Sequence, residues 1–158
     1  MLNVDLFLSA FAVLFVIIDP PGCAPIFATL TQNTSKAHQR AMAFKSVAVA
    51  AAILFIFAFF GEQIFHLLGI NFDALRIAGG IMLFIIALQM VFEKRTESRE
   101  HRAEEALEAI DDPEDISVFP MGIPMIAGPG TIASLLLLMS DAHNMWDTAT
   151  ILFALLAV

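Results

Sequence analysis

Residues 48–60 pass without one polar or charged side chain, and 77–88 form a second such run. Neither run carries the apolar stripe of an amphipathic helix or the alternation of a half-buried strand, so neither offers a face to water. A helix that is apolar all round belongs in a bilayer or deep inside a large protein. With 158 residues the chain is too short to bury several such helices within itself. Composition agrees, at 59% hydrophobic and 15% charged, against about 45–50% and about 25% in soluble domains. Mean hydropathy is +0.81. An ordinary soluble globule, a disordered chain and a disulfide scaffold are excluded. An outer-membrane barrel is disfavoured, because its strands alternate polar and apolar residues. The lone Cys23 cannot form an internal disulfide and leaves the redox compartment unread. The net charge of −8 offers no basic surface for nucleic acid. The expected fold is all-α, a polytopic membrane helix bundle.

A bilayer core of about 30 Å takes about 20 apolar residues as helix. By that measure five segments qualify: 4–30, 46–68, 70–92, 118–139 and 146 to the end. The first lacks the basic start of a signal peptide and is too long for one. Orientation follows from Lys and Arg. Lys36, Arg40 and Lys45 lie between the first two segments, and Lys94, Arg95, Arg99 and Arg102 between the third and fourth. The connections 69–73 and 140–147 have none, and Arg76 alone departs from the pattern. The basic loops are therefore expected in the cytoplasm and the N-terminus outside. Residues 93–115 hold ten acidic side chains against four basic ones. Ala103, Ala106, Leu107 and Ile110 are spaced for a short amphipathic helix, ended by Asp111-Asp112-Pro113. The plain reading of this stretch is a solvated acidic linker; a regulatory or docking role is the alternative.

Two segments break the rules for a lipid-facing helix. The first contains Asp19-Pro20-Pro21-Gly22-Cys23-Ala24-Pro25, and the fourth Ile123-Pro124 through Gly128-Pro129-Gly130-Thr131. Aligning Pro21-Gly22 with Pro129-Gly130 gives an offset of 108 residues, which is three spans and a loop. An odd number of spans turns the second copy upside down, and interrupted segments at corresponding positions of two halves point to a transporter binding site. The expected organisation is a 3+3 inverted repeat: 1–92 the first repeat, 93–117 the acidic cytoplasmic linker, 118–158 the second. The last segment stops thirteen residues in, with no charge or turn signal to close it, so the second repeat is expected to be truncated.

Proline removes a backbone donor and ends or kinks a helix. Asp19 before Pro20 reads as an N-cap followed by the first helical position, and Gly128 before Pro129 as the same arrangement without charge. Irregular backbone at that depth is tolerated only where protein or a water-filled cavity satisfies it. Two half-helix N-termini are thus expected to converge near the midplane, their free N–H groups and positive dipole ends seating a small carboxylate. Asp19, the one acid deep in a span, would cap its half-helix, meet a substrate ammonium or carry a coupling proton. The contrasting reading is that Asp19 only caps and the glycines only allow close packing.

At these motifs the chain resembles the MarC family of bacterial inner-membrane proteins. The resemblance rests on Ile18-Asp19-Pro20-Pro21-Gly22 through Pro25-Ile26-Phe27, on Phe119-Pro120 through Ala127-Gly128-Pro129-Gly130-Thr131-Ile132, and on Arg76-Ile77-Ala78-Gly79-Gly80. It implies six spans, kinship with LysE-type exporters and transport of neutral amino acids. Carried over by motif, it implicates Asp19, Pro20, Pro21, Gly22, Gly128, Pro129 and Gly130 in binding.

Thr131 and Ser134 follow the second break, where a hydroxyl either bonds substrate or satisfies a backbone carbonyl. Arg76 stands as a gate or ion-pair candidate, meeting Asp19 or a substrate, or snorkelling to the interface. No cofactor and no metal site is expected, since His, Cys and acidic residues do not cluster. The leading function is a secondary transporter for a small zwitterionic substrate, a neutral amino acid, coupled to a proton or sodium ion. A non-transporting membrane scaffold, or an inactive fragment, is the runner-up. An intramembrane hydrolase lacks a second catalytic group beside Asp19, so no enzyme activity is expected. The small-residue faces are compatible with an oligomer.

Overall fold

The computed structural model describes residues 3–92, 94–108 and 115–158, with backbone alone at 72, 96, 102–104 and 106–108. The face expected from Ala103, Ala106, Leu107 and Ile110, and the break at Asp111-Asp112-Pro113, lie outside that description.

Every regular element among the described residues is helical. Helix α1 (Val4–Ile18) starts at Asn3, whose side chain accepts from the Asp5 and Leu6 N–H groups at 3.1 and 3.3 Å. It hands over at Asp19 to α2 (Pro20–Leu30), and the two together make one apolar span of 27 residues. Ser35 caps α3 (Lys36–Leu67) and Asn71 caps α4 (Phe72–Val91). Helix α5 (Lys94–Glu108) follows, then a kinked segment, Ser117–Ile126, and α6 (Pro129–Ser140). Asn144 caps α7 (Met145–Ala157). The 4–30 span, α3 and 73–91 are each long and apolar enough to cross a bilayer. Ser117–Ile126 and Pro129–Ser140 form a fourth candidate bent by 52°, and α7 is a shorter apolar helix. These are the five segments expected from the sequence. Helix α3 starts ten residues earlier, because Lys36 to Lys45 continue as helix beyond the apolar stretch.

Helix α1 packs on α6 and α7, α3 on the 117–126 segment and α6, and α4 on α6. The centre holds Leu14, Leu54, Leu135 and Ile151, all at most 2% exposed. Ala10, Ala50, Ala58 and Ala154 lie between the helices. Lipid removes most of the hydrophobic drive between helices, so close approach over small residues carries the packing. The outer surface is apolar instead of polar, with Phe44, Ile77 and Phe84 each more than 60% exposed. Two ion pairs tie the ends of the bundle. Lys45 Nζ meets Asp115 Oδ2 at 2.5 Å at one end, and Arg76 Nη2 meets Asp141 Oδ1 at 2.8 Å at the other.

Candidate functional site at two broken helices

The first break starts from two prolines. In an unbroken helix the carbonyls of Val16 and Ile17 would accept from residues 20 and 21, but Pro20 and Pro21 have no N–H. The Ile18 carbonyl would accept from Gly22. That N–H turns instead to the Asp19 carbonyl and Oδ1, at 3.0 and 3.1 Å. Asp19 makes this possible by adopting φ 54° and ψ 64°, and it alone among the described non-glycine residues has positive φ. Aspartate tolerates the left-handed region better than most L residues. One residue therefore ends α1 and caps α2. A Cβ at Gly22 would lie 2.4 Å from Asp19 Oδ2, so any other residue there would push the capping carboxylate aside.

The Ile17 and Ile18 carbonyls are filled from α5, and Ile18 also accepts from the Cys23 thiol at 3.4 Å. Arg95 Nη2 donates to the Ile17 carbonyl. Arg99 donates through Nη2 to Ile17 and Ile18 at 3.0 and 3.1 Å, and through Nη1 to Ile18 at 3.1 Å. Its Nη1 also reaches Cys23 Sγ at 2.7 Å. Both guanidiniums approach Asp19 Oδ2, Arg95 Nε at 3.5 Å and Arg99 Nη1 at 3.9 Å. Each arginine is 6% exposed. The stretch expected to be a solvated acidic linker thus carries two buried side chains, Arg95 and Arg99. The physical reason is that a proline-broken helix end needs donors, and arginine carries five on a stem long enough to deliver them.

The second break is built differently. Phe119 and Ile123 are extended, at φ −132° and −133°, as residues before proline tend to be. Each precedes a cis proline, Pro120 and Pro124. Gly128 then starts α6 with Pro129 in its first turn and no side-chain cap. The first-turn N–H groups of Gly130 and Thr131 have no intrahelical acceptor. Gly128 is required by a close approach, since a Cβ there would stand 2.4 Å from the Pro124 carbonyl oxygen. Thr131 Oγ1 donates to the Ile126 carbonyl at 2.8 Å and Ser134 Oγ to that of Gly130 at 2.7 Å. Of the two roles weighed for these hydroxyls, the structure displays the backbone one.

The breaks adjoin. A Cβ on Gly130 would lie 3.8 Å from Ile17 Cγ2. Beside the second break, and touching the first only at Ile17, opens a cavity of about 950 Å³. Gly128, Pro129, Gly130 and Thr131 form one wall, Met82, Ile86 and Gln89 of α4 another, and Arg95 and Arg99 a third. Of the residues expected at the site, Gly128 to Thr131 line this cavity. Asp19, Pro20, Pro21 and Gly22 do not; they form the junction of α1 and α2, where Asp19 pairs with the two arginines. Arg76 is elsewhere. It pairs with Asp141, donates to Ser140 Oγ at 3.2 Å, and lines a separate cavity of about 420 Å³ with Glu62 and Gln63.

Sequence reasoning missed Arg95, Arg99 and the α4 wall. The signal for the arginines was present: two of them four residues apart on one helical face, within an acidic stretch, opposite two donor-less prolines. For the α4 wall there was none, since Met82 and Ile86 lie in a run without polar residues that marks no one face.

The comparisons agree with this architecture. A membrane protein of Methanocaldococcus jannaschii, MJ1677, is 38% identical over 155 residues, covering 98% of this chain and 74% of the relative. YvbG, a membrane protein of Bacillus subtilis, is 38% identical over 148 residues, covering 94% and 70%. YhgN, an inner membrane protein of Escherichia coli, is 32% identical over 137 residues, covering 87% and 66%. The chain thus spans about two thirds to three quarters of the length of these relatives. No solved structure matches it. A family model described as MarC family integral membrane protein matches residues 4–158, and the chain, with its bundle of apolar helices and two proline breaks, belongs to the MarC family.

Proposed function

We propose that this integral membrane protein is a secondary transporter of small neutral amino acids rather than an enzyme or a scaffold, driven by a proton or sodium gradient. The observation that carries the reading is that the second interrupted segment lines a cavity whose facing arginines, Arg95 and Arg99, are bound to the first, 108 residues away. Such paired interruptions are the usual seat of substrate in transporters built from inverted repeats. We take the two breaks as equivalent positions of such a repeat.

The cavity suits a zwitterion. A carboxylate finds the N–H groups of Gly130 and Thr131 at a positive helix end, with the guanidiniums of Arg95 and Arg99 on the facing wall. The amino group finds Gln89 and Glu97, which line the same cavity. Asp19 is already occupied by two guanidiniums, so its part is to hold the arginine wall in place. Met82 and Ile86 leave an apolar face for a short side chain. From the arrangement of Lys and Arg, the end marked by Lys45 and Asp115 is taken as cytoplasmic, with the N-terminus outside and the bacterial inner membrane as the setting.

The test is counterflow of labelled alanine and glycine in proteoliposomes bearing this chain, with and without Asp19→Asn, and full-length YvbG in parallel. Flux that falls at least tenfold with Asp19→Asn supports the reading. No flux from either folded protein over a broad set of amino acids overturns it, and the scaffold reading then leads.

A further inference from the structure

The end of α1 concentrates oxygen. The carbonyls of Ile17 and Ile18 lie at the negative pole of a half-helix, stripped of their helical donors, with the Asp19 carboxylate beside them. Arg99 lies within 4 Å of all three groups, and Arg95 within 4 Å of the Ile17 carbonyl and the carboxylate. Unwound carbonyls at a half-helix C-terminus, joined by one carboxylate, are the donor set with which discontinuous membrane helices coordinate a small monovalent cation. Here a positive charge already stands at each approach.

We infer that the Ile17 and Ile18 carbonyls and the Asp19 carboxylate form a site for an alkali cation, and that Arg95 and Arg99 fill it as tethered cations. Three features support this. The contacts are those of a coordination site rather than of a surface ion pair, because Arg99 bonds both carbonyls while approaching the carboxylate. The arginines come from α5, outside the spans, so the charge is delivered from a separate element. Guanidinium also presents five donors in a fixed planar fork, so one side chain can satisfy several oxygens at once. The inference deepens the transporter reading and rests on it in one consequence. Of the two candidate driving ions, sodium is dispensable, because its place is filled by the chain itself. Removing the guanidiniums uncovers the site and creates a sodium requirement that the wild-type chain lacks.

The experiment measures binding, not flux. Thermal unfolding of the purified chain in detergent is compared in sodium chloride and in choline chloride at equal ionic strength. The wild type, Arg95→Gln/Arg99→Gln, and that double variant with Asp19→Asn added are measured side by side. A ligand that binds only the folded state raises the melting temperature. The double variant is expected to melt about 3 °C or more higher in sodium than in choline. The wild type is expected to show no difference, and the triple variant to lose the response. A double variant that folds only in sodium also supports the inference. It is overturned by a helical, folded double variant indifferent to sodium, by a response that survives Asp19→Asn, or by a wild type that responds equally. Should the double variant fold in neither salt, Arg99→Gln alone decides by the same comparison. Amino acid counterflow is scored separately. A sodium response without flux sinks the transporter reading and leaves the cation site, and the reverse result does the opposite.

Discussion

At position 19 the backbone turns left-handed, the side chain caps α2 through the Gly22 N–H, and the carboxylate pairs with two guanidiniums. These tasks separate by substitution. Asparagine tolerates φ near 54° and still presents an oxygen to Gly22, so Asp19→Asn removes only the charge. Alanine loses the cap, worth about 1 kcal/mol, and adopts the left-handed region at a cost of about 1–2 kcal/mol. Asp19→Ala is therefore expected to be less stable than Asp19→Asn by about 2 kcal/mol, measured by unfolding of the two variants in one detergent. Equal stability would mean that the cap and the backbone turn contribute nothing. The same separation explains why Asp19→Asn is the sharper probe in flux and sodium measurements, since it keeps the cap and the backbone turn and removes the charge.

Among the elements, α5 departs most from its sequence character. Among its described side chains Glu97, Glu100 and Glu105 are exposed, while Arg95 and Arg99 turn inward to the end of α1. Past its far side, Asp115 anchors the return to the 117–126 segment. The hydrogen bond from Lys45, and then those from the Ser117 hydroxyl and N–H, hold the Asp115 carboxyl well below the usual carboxylate range. A depressed folded value means that the contact is fully in place above the unfolded value of about 3.9 and is lost only as pH falls through the lower folded value. The protection factor of the Ser117 amide is thus expected to stay constant from pH 7 to 5. Asp115→Ala should lower it at both pH values by about two- to fivefold, in keeping with a surface pair worth under about 1 kcal/mol. Hydrogen exchange read by mass spectrometry checks both statements. Protection in the wild type that already collapses between pH 7 and 5 would contradict them.

For the whole molecule, the two ion pairs divide the bundle into a Lys45–Asp115 end and an Arg76–Asp141 end. The first gathers the loops rich in Lys and Arg and the second those without. The proposed orientation then makes a direct prediction. In a Cys23→Ala background, cysteine replacing His143 reacts with a membrane-impermeant maleimide on intact cells. Cysteine replacing Thr34 reacts only after permeabilisation. The opposite pattern would invert the protein and reverse the sidedness of the cavity, leaving its geometry unchanged.

Much of this was legible in the chain. Runs without polar residues specify spans because a bilayer leaves the backbone no other partner than its own helix. Asp19-Pro20 and Gly128-Pro129 specify helix starts because a missing N–H is a local fact of covalent structure. The five segments and both breaks follow from such local rules, and the structure has them where those rules put them. What the sequence could not supply is which donors answer the stranded carbonyls of Ile17 and Ile18. Arg95 and Arg99 stand some eighty residues away in a stretch that reads as solvated, and only the docking of α5 on the neighbouring elements brings them in. Nor could it show that Arg76 spends its charge on Asp141 instead of Asp19. Helix ends are decided by neighbours in the chain. The partner of a buried charge is decided by neighbours in space, and those exist only once the helices have packed.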